Sequence, residues 1–303
     1  MRARVLERVR NATHDGRAQR VVREVVLILT AALLYSLVRG MTDDRVGLAF
    51  DNAERLISFQ QSIGLFVEPD IQSWVVGHDA VINVINAIYI AGYWPVLVGT
   101  LVWLLLRHPD RYPLYRNALL ASGAITLVIF ALFPLAPPRF LPEYGFVDTV
   151  SDNSSAYRDF SASPFVNEYA AMPSLHFGWI LLLGIAWTTV GRSAMAKVFG
   201  ATMPVLMFLA IVLTGNHYIL DGIVGGTVVL LGLVVAVGVE HVKAVRSGAH
   251  AEHAPLPVGR QRSNQDGPAF ASEDDGADAI GRARDDRRES ADRVSVDRVS
   301  VDR

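Results

Sequence analysis

Apolar residues in this chain fall in long blocks. Ala80–Leu106 runs for 27 residues without a charged side chain and Asn117–Pro138 for 22, while Phe199–Val239 holds one formal charge, Asp221, in 41. A bilayer core takes about 20 apolar residues per helix, so blocks of this length predict membrane spans. The pattern predicts six, near residues 24–39, 80–106, 117–136, 173–190, 198–214 and 218–239. The last two are separated by Gly215-Asn216-His217. A single helix over the whole block would be about 60 Å long at the usual rise per residue. That is roughly twice the bilayer core, so two helices and a turn are expected.

Between the first two spans, "NAERLISFQQSIGLFVEPDIQSWV" scatters Leu56, Ile57, Ile63, Leu65, Phe66, Ile71 and Trp74 among polar residues. Such spacing suits short amphipathic helices lying along the outer interface, and equally a packed helical loop. From about Ser247 the composition turns to Gly, Ser, Asp and Arg and ends in the short repeat "DRVSVDRVSVDR". Low hydrophobicity with mixed charge predicts disorder there. The expected organisation is a basic N-terminus over 1–23, an all-α membrane domain over 24–246 built as a six-helix bundle, and a disordered tail over 247–303.

Composition agrees with the blocks: 51% of residues are hydrophobic and 19% charged. Cysteine is absent, which excludes disulfides, a thiol nucleophile and thiolate-held metals. Charge orients the spans, because cytoplasmic segments collect Lys and Arg. Residues 1–23 hold seven arginines against two acids. Arg107, Arg111 and Arg116 follow the second span, Arg192 and Lys197 the fourth, and Lys243 and Arg246 the sixth. Six spans put all four segments on one side. Both termini are then cytoplasmic, in the plasma membrane, and 40–79 and 137–172 face outward. The basic N-terminus leads into an apolar run without a clear small-residue cleavage site, so the first span is expected to remain as an anchor.

That topology gathers distant polar residues at the outer face. "FPLAPPRF" brings Arg139, "MPSLHFGW" brings Ser174 and His176, and "GNHYILDGIVGG" brings His217 and Asp221. Ionisable groups at membrane depth are rare and mark function. His217 and Asp221 are four apart and share a face if helical. An aspartate on one imidazole nitrogen leaves the other free to attack; a hydrogen-bonded helix end explains the pair as well. Pro173 suits a first helical turn, whose free amides favour phosphate. Ser174 then adds a donor, and His176 can protonate a leaving oxygen. Helix capping by Ser174 beside a snorkelling His176 is the plain alternative. Arg139 offers a planar fork to phosphate oxygens, or anchors a span end by snorkelling. Together these residues make an inventory for phosphoryl transfer through a phosphohistidine.

At these motifs the chain resembles the type 2 phosphatidic acid phosphatase superfamily. "PPR", "MPSLH" and "NHYILDGIVGG", with "NAERL" and "QSIGLFVEPDIQ" upstream, resemble its inositol phosphorylceramide synthase-like branch. The resemblance covers about residues 25–240. It implies a six-helix membrane core and a lipid phosphatase or phospho-headgroup transferase acting on a lipid phosphate or phospholipid. It implies catalytic roles for His217, Asp221 and His176, and phosphate binding by Arg139 and Ser174. Two family cations are replaced, by Leu132 and Ile211; Asn216, Tyr218 and Arg158 are the candidates to compensate. No cofactor, no metal and no nucleic-acid partner is called for, and nothing in the pattern specifies an oligomeric state.

Two other readings use the same residues. His176, His217 and Asp221 suit a two-histidine, one-carboxylate metal site, although no local ligand pair such as HExxH is present. A transporter or proton relay would place ionisable groups near the midplane within inverted repeats. Tyr89, Tyr93, Trp94 and Trp179 suit either a lipid groove or an interfacial belt.

Overall fold

A computed structural model describes residues 45–150 except 91, residues 168–252 (side chains to 246), and scattered positions over 19–38. The described residues are mostly helical. They contain no strand, only an isolated parallel bridge between Leu135 and Ala170. The helices are α1 (Val46–Ser62), α2 (Glu68–Ser73), α3 (Asp79–Ile90), α4 (Tyr93–Arg107), α5 (Tyr112–Leu132), α6 (Leu175–Val190), α7 (Ala194–Leu213) and α8 (Ile219–Glu252). Described positions over 22–38 are helical too. The chain divides after Ala254 into two units. The expected disorder of the tail, beyond Glu252, lies outside the described residues, as does Arg158.

Among the described residues three helices are long and apolar enough to cross a membrane: α5, α7 and α8 up to Arg246. A fourth span arises if α3 and α4 count as one, bent by 41°. The block over 80–106 is therefore not one straight helix. Pro95 supplies no N–H to a helical ladder, and the break falls near Gly92. Gly92 N–H instead reaches Ala87 O at 2.9 Å, five residues back. α6 is apolar but 16 residues long, about 24 Å.

Helix ends also depart from the pattern. α5 starts five residues before the expected 117, with Pro113 in its first turn, and stops at Leu132 ahead of Pro134. The final helix runs past 239 and through the 247 boundary to Glu252. Hydropathy marks where apolar side chains stop. Helix continues wherever backbone bonds and helix-tolerant residues such as Glu240, Lys243 and Ala244 allow it.

α6 is central: it packs against α4, α5, α7 and α8. Its approach to α8 is close because both faces carry glycine. A Cβ at Gly178 would lie 2.7 Å from Gly225 O, and one at Gly225 would lie 3.0 Å from the Ser174 carbonyl carbon. Small residues let helix backbones meet in this way. Side chains turned away from the core are bare and apolar, among them Leu106, Leu132, Met195 and Val234.

One end of the bundle carries a second core, formed by Ala49, Ala53 and Ile57 of α1 with Leu135, Leu141, Phe146, Ala171 and Tyr218. Asn52 Nδ2 donates to Pro134 O at 2.8 Å, and Arg45 Nη1 to Ala131 O at 2.6 Å. α1 and α2 thus pack as a cap, the second of the two readings of this segment. Phe59, Ile63 and Trp74 nevertheless remain exposed along its rim. The other end holds polar links of Arg116 to Glu24 and of Asn117 Nδ2 to Glu240 at 3.2 Å.

Candidate active site

Arg139, Ser174, His176, His217 and Asp221 converge at the capped end. The bridge between Leu135 and Ala170 explains part of this. Leu135 N–H donates to Tyr169 O at 2.8 Å and Ala171 N–H to Leu135 O at 3.2 Å. This backbone splice sets the Arg139 segment beside the entrance to α6. Leu135–Pro137 run between α5 and a single 3-10 turn, Pro138–Phe140, that presents Arg139.

His217 is not on a helix, contrary to expectation. α8 begins at Ile219, and His217 sits in the turn that enters it. Asp221 occupies the third helical position and folds back. Its Oδ2 accepts the Tyr218 N–H at 2.9 Å, which is half of a capping box. The same oxygen lies 3.4 Å from His217 Nδ1. The shorter contact of that nitrogen is to Ala171 O, at 2.7 Å. A carbonyl only accepts, so Nδ1 carries the proton and Nε2 keeps its lone pair. Sequence spacing found the carboxylate but missed the carbonyl, because a backbone acceptor 46 residues away leaves no trace in residue type.

Pro173 also departs from expectation. It precedes the helix, follows a cis peptide bond, and leaves Ser174 as the N-cap of α6. Ser174 is fully buried and accepts loosely from Phe177 N–H at 3.5 Å. Its own N–H is not free, since it donates to Asp221 O at 2.9 Å. The Leu175 and His176 amides have no partner among the described residues. They are the donors that this helix start leaves without an intrahelical partner. His176 lies between two tyrosines, with ring centroids 4.7 Å from Tyr89 and 4.3 Å from Tyr93, and 6.0 Å from His217. Tyr89 and Tyr93 therefore hold the imidazole. Trp179 is committed elsewhere, its Nε1 donating to Ser122 Oγ at 3.2 Å.

Arg139 reaches across to the His217 turn. Its N–H donates to Gly215 O at 2.8 Å, and Nη1 donates to Asn216 Oδ1. Its Nε lies 3.6 Å from Asp148 Oδ2, and the guanidinium covers the Phe140 ring at 4.6 Å. Asn216 thus orients the arginine. Tyr218 is buried and donates to Ala136 O at 3.3 Å, which makes it part of the frame. The positions of the two replaced cations face elsewhere: Leu132 is 72% exposed on α5, and Ile211 is buried in the core.

Among the described residues no group of three His, Asp or Glu side chains is placed to share a metal ion. His176, His217 and Asp221, the trio of the alternative metal reading, are not arranged to share an ion, since His217 turns Nδ1 to Ala171 and Asp221 while His176 stacks on tyrosines. What the arrangement offers is one imidazole with a free Nε2, a carboxylate behind it, a second imidazole beside it, a guanidinium and two free amides.

A family model described as the PAP2 superfamily matches residues 54–235, more than half of the chain, a span within which Arg139, Ser174, His176, His217 and Asp221 lie. No curated protein and no solved structure matches.

Proposed function

The chain belongs to the PAP2 superfamily, and from that premise we propose that it is a membrane lipid phosphatase or phospho-headgroup transferase working through phosphohistidine. Membership supports phosphatase-type chemistry in general. The observation that carries the finer reading is the His217 imidazole, with Nδ1 held by Ala171 O and Asp221. His217 Nε2 attacks phosphorus as the bond from phosphorus to the leaving oxygen breaks, and His176 protonates that oxygen. The Nδ1–H stays in place, so positive charge building on the ring faces the Asp221 carboxylate. Arg139, the Leu175 and His176 amides and Ser174 hold the phosphate oxygens. His176 then takes a proton from the acceptor hydroxyl, whose oxygen attacks phosphorus and restores His217. Water as acceptor gives hydrolysis. An acceptor alcohol gives transfer of a phospho-headgroup such as inositol phosphate, the outcome favoured by the likeness of the motifs to the inositol phosphorylceramide synthase-like branch.

Six spans accommodate this site: the helical positions over 22–38, the bent pair α3–α4, and α5, α6, α7 and α8. The positive-inside pattern then sets the site at the extracytoplasmic face of the plasma membrane. The polar groups cluster at one end of the bundle, whereas a transporter needs them near the middle. The test supplies phosphatidic acid and a panel of phospholipids that includes phosphatidylinositol, with and without an added lipid alcohol, to wild type and His217→Ala. Wild-type turnover lost in the variant supports the reading; equal turnover by both defeats it.

A further inference from the structure

Two side chains of the upstream "QSIGLFVEPDIQ" stretch, to which the resemblance assigns no role, grip the turn that carries His217. Glu68 and Gln72 lie four apart on α2, with exposures of 0% and 1%. Glu68 Oε1 accepts the Ile219 N–H at 3.0 Å and a bond from Gln60 Nε2; its Oε2 accepts the Val67 N–H at 3.0 Å. Gln72 Nε2 donates to Leu213 O at 3.1 Å and to Val147 O at 2.8 Å, and its Oε1 accepts the Val147 N–H at 2.9 Å. Leu213 is the last residue of α7 and Ile219 the first of α8. One face of one short helix therefore holds both ends of the segment containing Asn216 and His217.

Stability alone does not account for this arrangement. Among the described residues the partners of Glu68 are N–H donors and none is a cation, so its burial is costly. A local cap at the start of α8 would do the same work more cheaply. Tyr218 occupies the N-cap position and its hydroxyl is committed to Ala136 O. The first amides of α8 are consequently taken by two carboxylates, Asp221 on Tyr218 and Glu68 on Ile219. Gly215 completes the grip. Its φ is +67°, and an added Cβ would lie 3.0 Å from Val147 O and 3.1 Å from Gln72 Nε2. Val147 adjoins Asp148, the partner of Arg139, so the same glutamine ties the phosphate-binding arginine to the nucleophile's turn.

We propose that Glu68 and Gln72 are positioning residues that set His217 against Arg139. The inference rests on the proposed role of His217. The test uses the full chain in lipid nanodiscs, with Glu68→Ala, Glu68→Gln, Gln72→Glu and the reference His217→Ala. Three readouts are taken: phosphate release from phosphatidic acid resolved into kcat and KM, thermal unfolding, and the 15N signal of the His217 Nδ1–H. Glu68→Ala and Gln72→Glu are expected to lower kcat about 100-fold with KM within about twofold, the scale of a roughly 1 Å misplacement. The Nδ1–H signal broadens or vanishes in both. Glu68→Gln keeps an acceptor for Ile219 N–H and recovers most of kcat. Folded variants with wild-type kcat and an unshifted signal overturn the proposal, as does a loss that only tracks the unfolded fraction. If the wild type turns over neither phosphatidic acid nor any phospholipid of the panel, the functional reading fails, while the histidine signal still decides whether the two residues hold the turn.

Discussion

His217 owes its tautomer to two groups, a backbone carbonyl at 2.7 Å and a carboxylate at 3.4 Å. That division sets the expected sizes of effect. Asp221→Asn keeps an oxygen for the Tyr218 N–H and leaves Ala171 O in place, but removes the negative charge behind the ring. We expect kcat to fall about 100-fold with KM little changed, less than the roughly 10⁴-fold cost of a wrong tautomer; steady-state kinetics that show no loss would remove Asp221 from the chemistry. Arg139→Lys keeps charge but gives up the planar fork that spans Asn216 and phosphate. A loss of about 100-fold in kcat is expected, the usual cost of one transition-state donor, and a lysine variant at full rate would show that charge alone suffices. The motif residues were legible because their types and spacing carry the chemistry. The roles of Ala171 O and of Glu68 and Gln72, although the latter two lie in the quoted "QSIGLFVEPDIQ", were not, since they act through backbone groups up to 151 residues away.

Among the elements, the crossing of α6 and α8 matters most. Gly225 lets the Ser174 backbone lie against α8, and the bond from Ser174 N–H to Asp221 O at 2.9 Å depends on it. Gly225→Ala inserts a methyl where no space exists. Overpacking of this kind costs about 1–3 kcal/mol, so thermal unfolding should shift down and activity fall with it. An unaltered Tm would mean that the helices are not held this close. The pattern of apolar blocks located these helices because burial in lipid or in the core demands apolar side chains over their length. It did not locate their ends. The bend near Gly92, the early stop of α5 at Leu132 and the helical run to Glu252 follow from proline and backbone bonding, to which hydropathy is blind. The i, i+4 spacing of His217 and Asp221 suggested a helical face, yet the pair forms because Asp221 caps the helix that His217 precedes.

For the whole molecule, sidedness is the open quantity with the simplest test. The chain has no cysteine, so single cysteines report position without background. Glu143→Cys should react with a membrane-impermeant maleimide on intact cells, and Arg192→Cys only after permeabilisation. The reverse pattern would put the site on the cytoplasmic side. The chemistry itself turns on the covalent step. Its most direct measurement incubates wild type and His217→Ala with phosphatidic acid labelled at phosphorus, quenches in base, and follows label on the protein. A phosphohistidine at His217 predicts label on the wild type that acid releases and base preserves, and none on the variant. Steady turnover by the wild type with no such label, or equal label on both proteins, would contradict it.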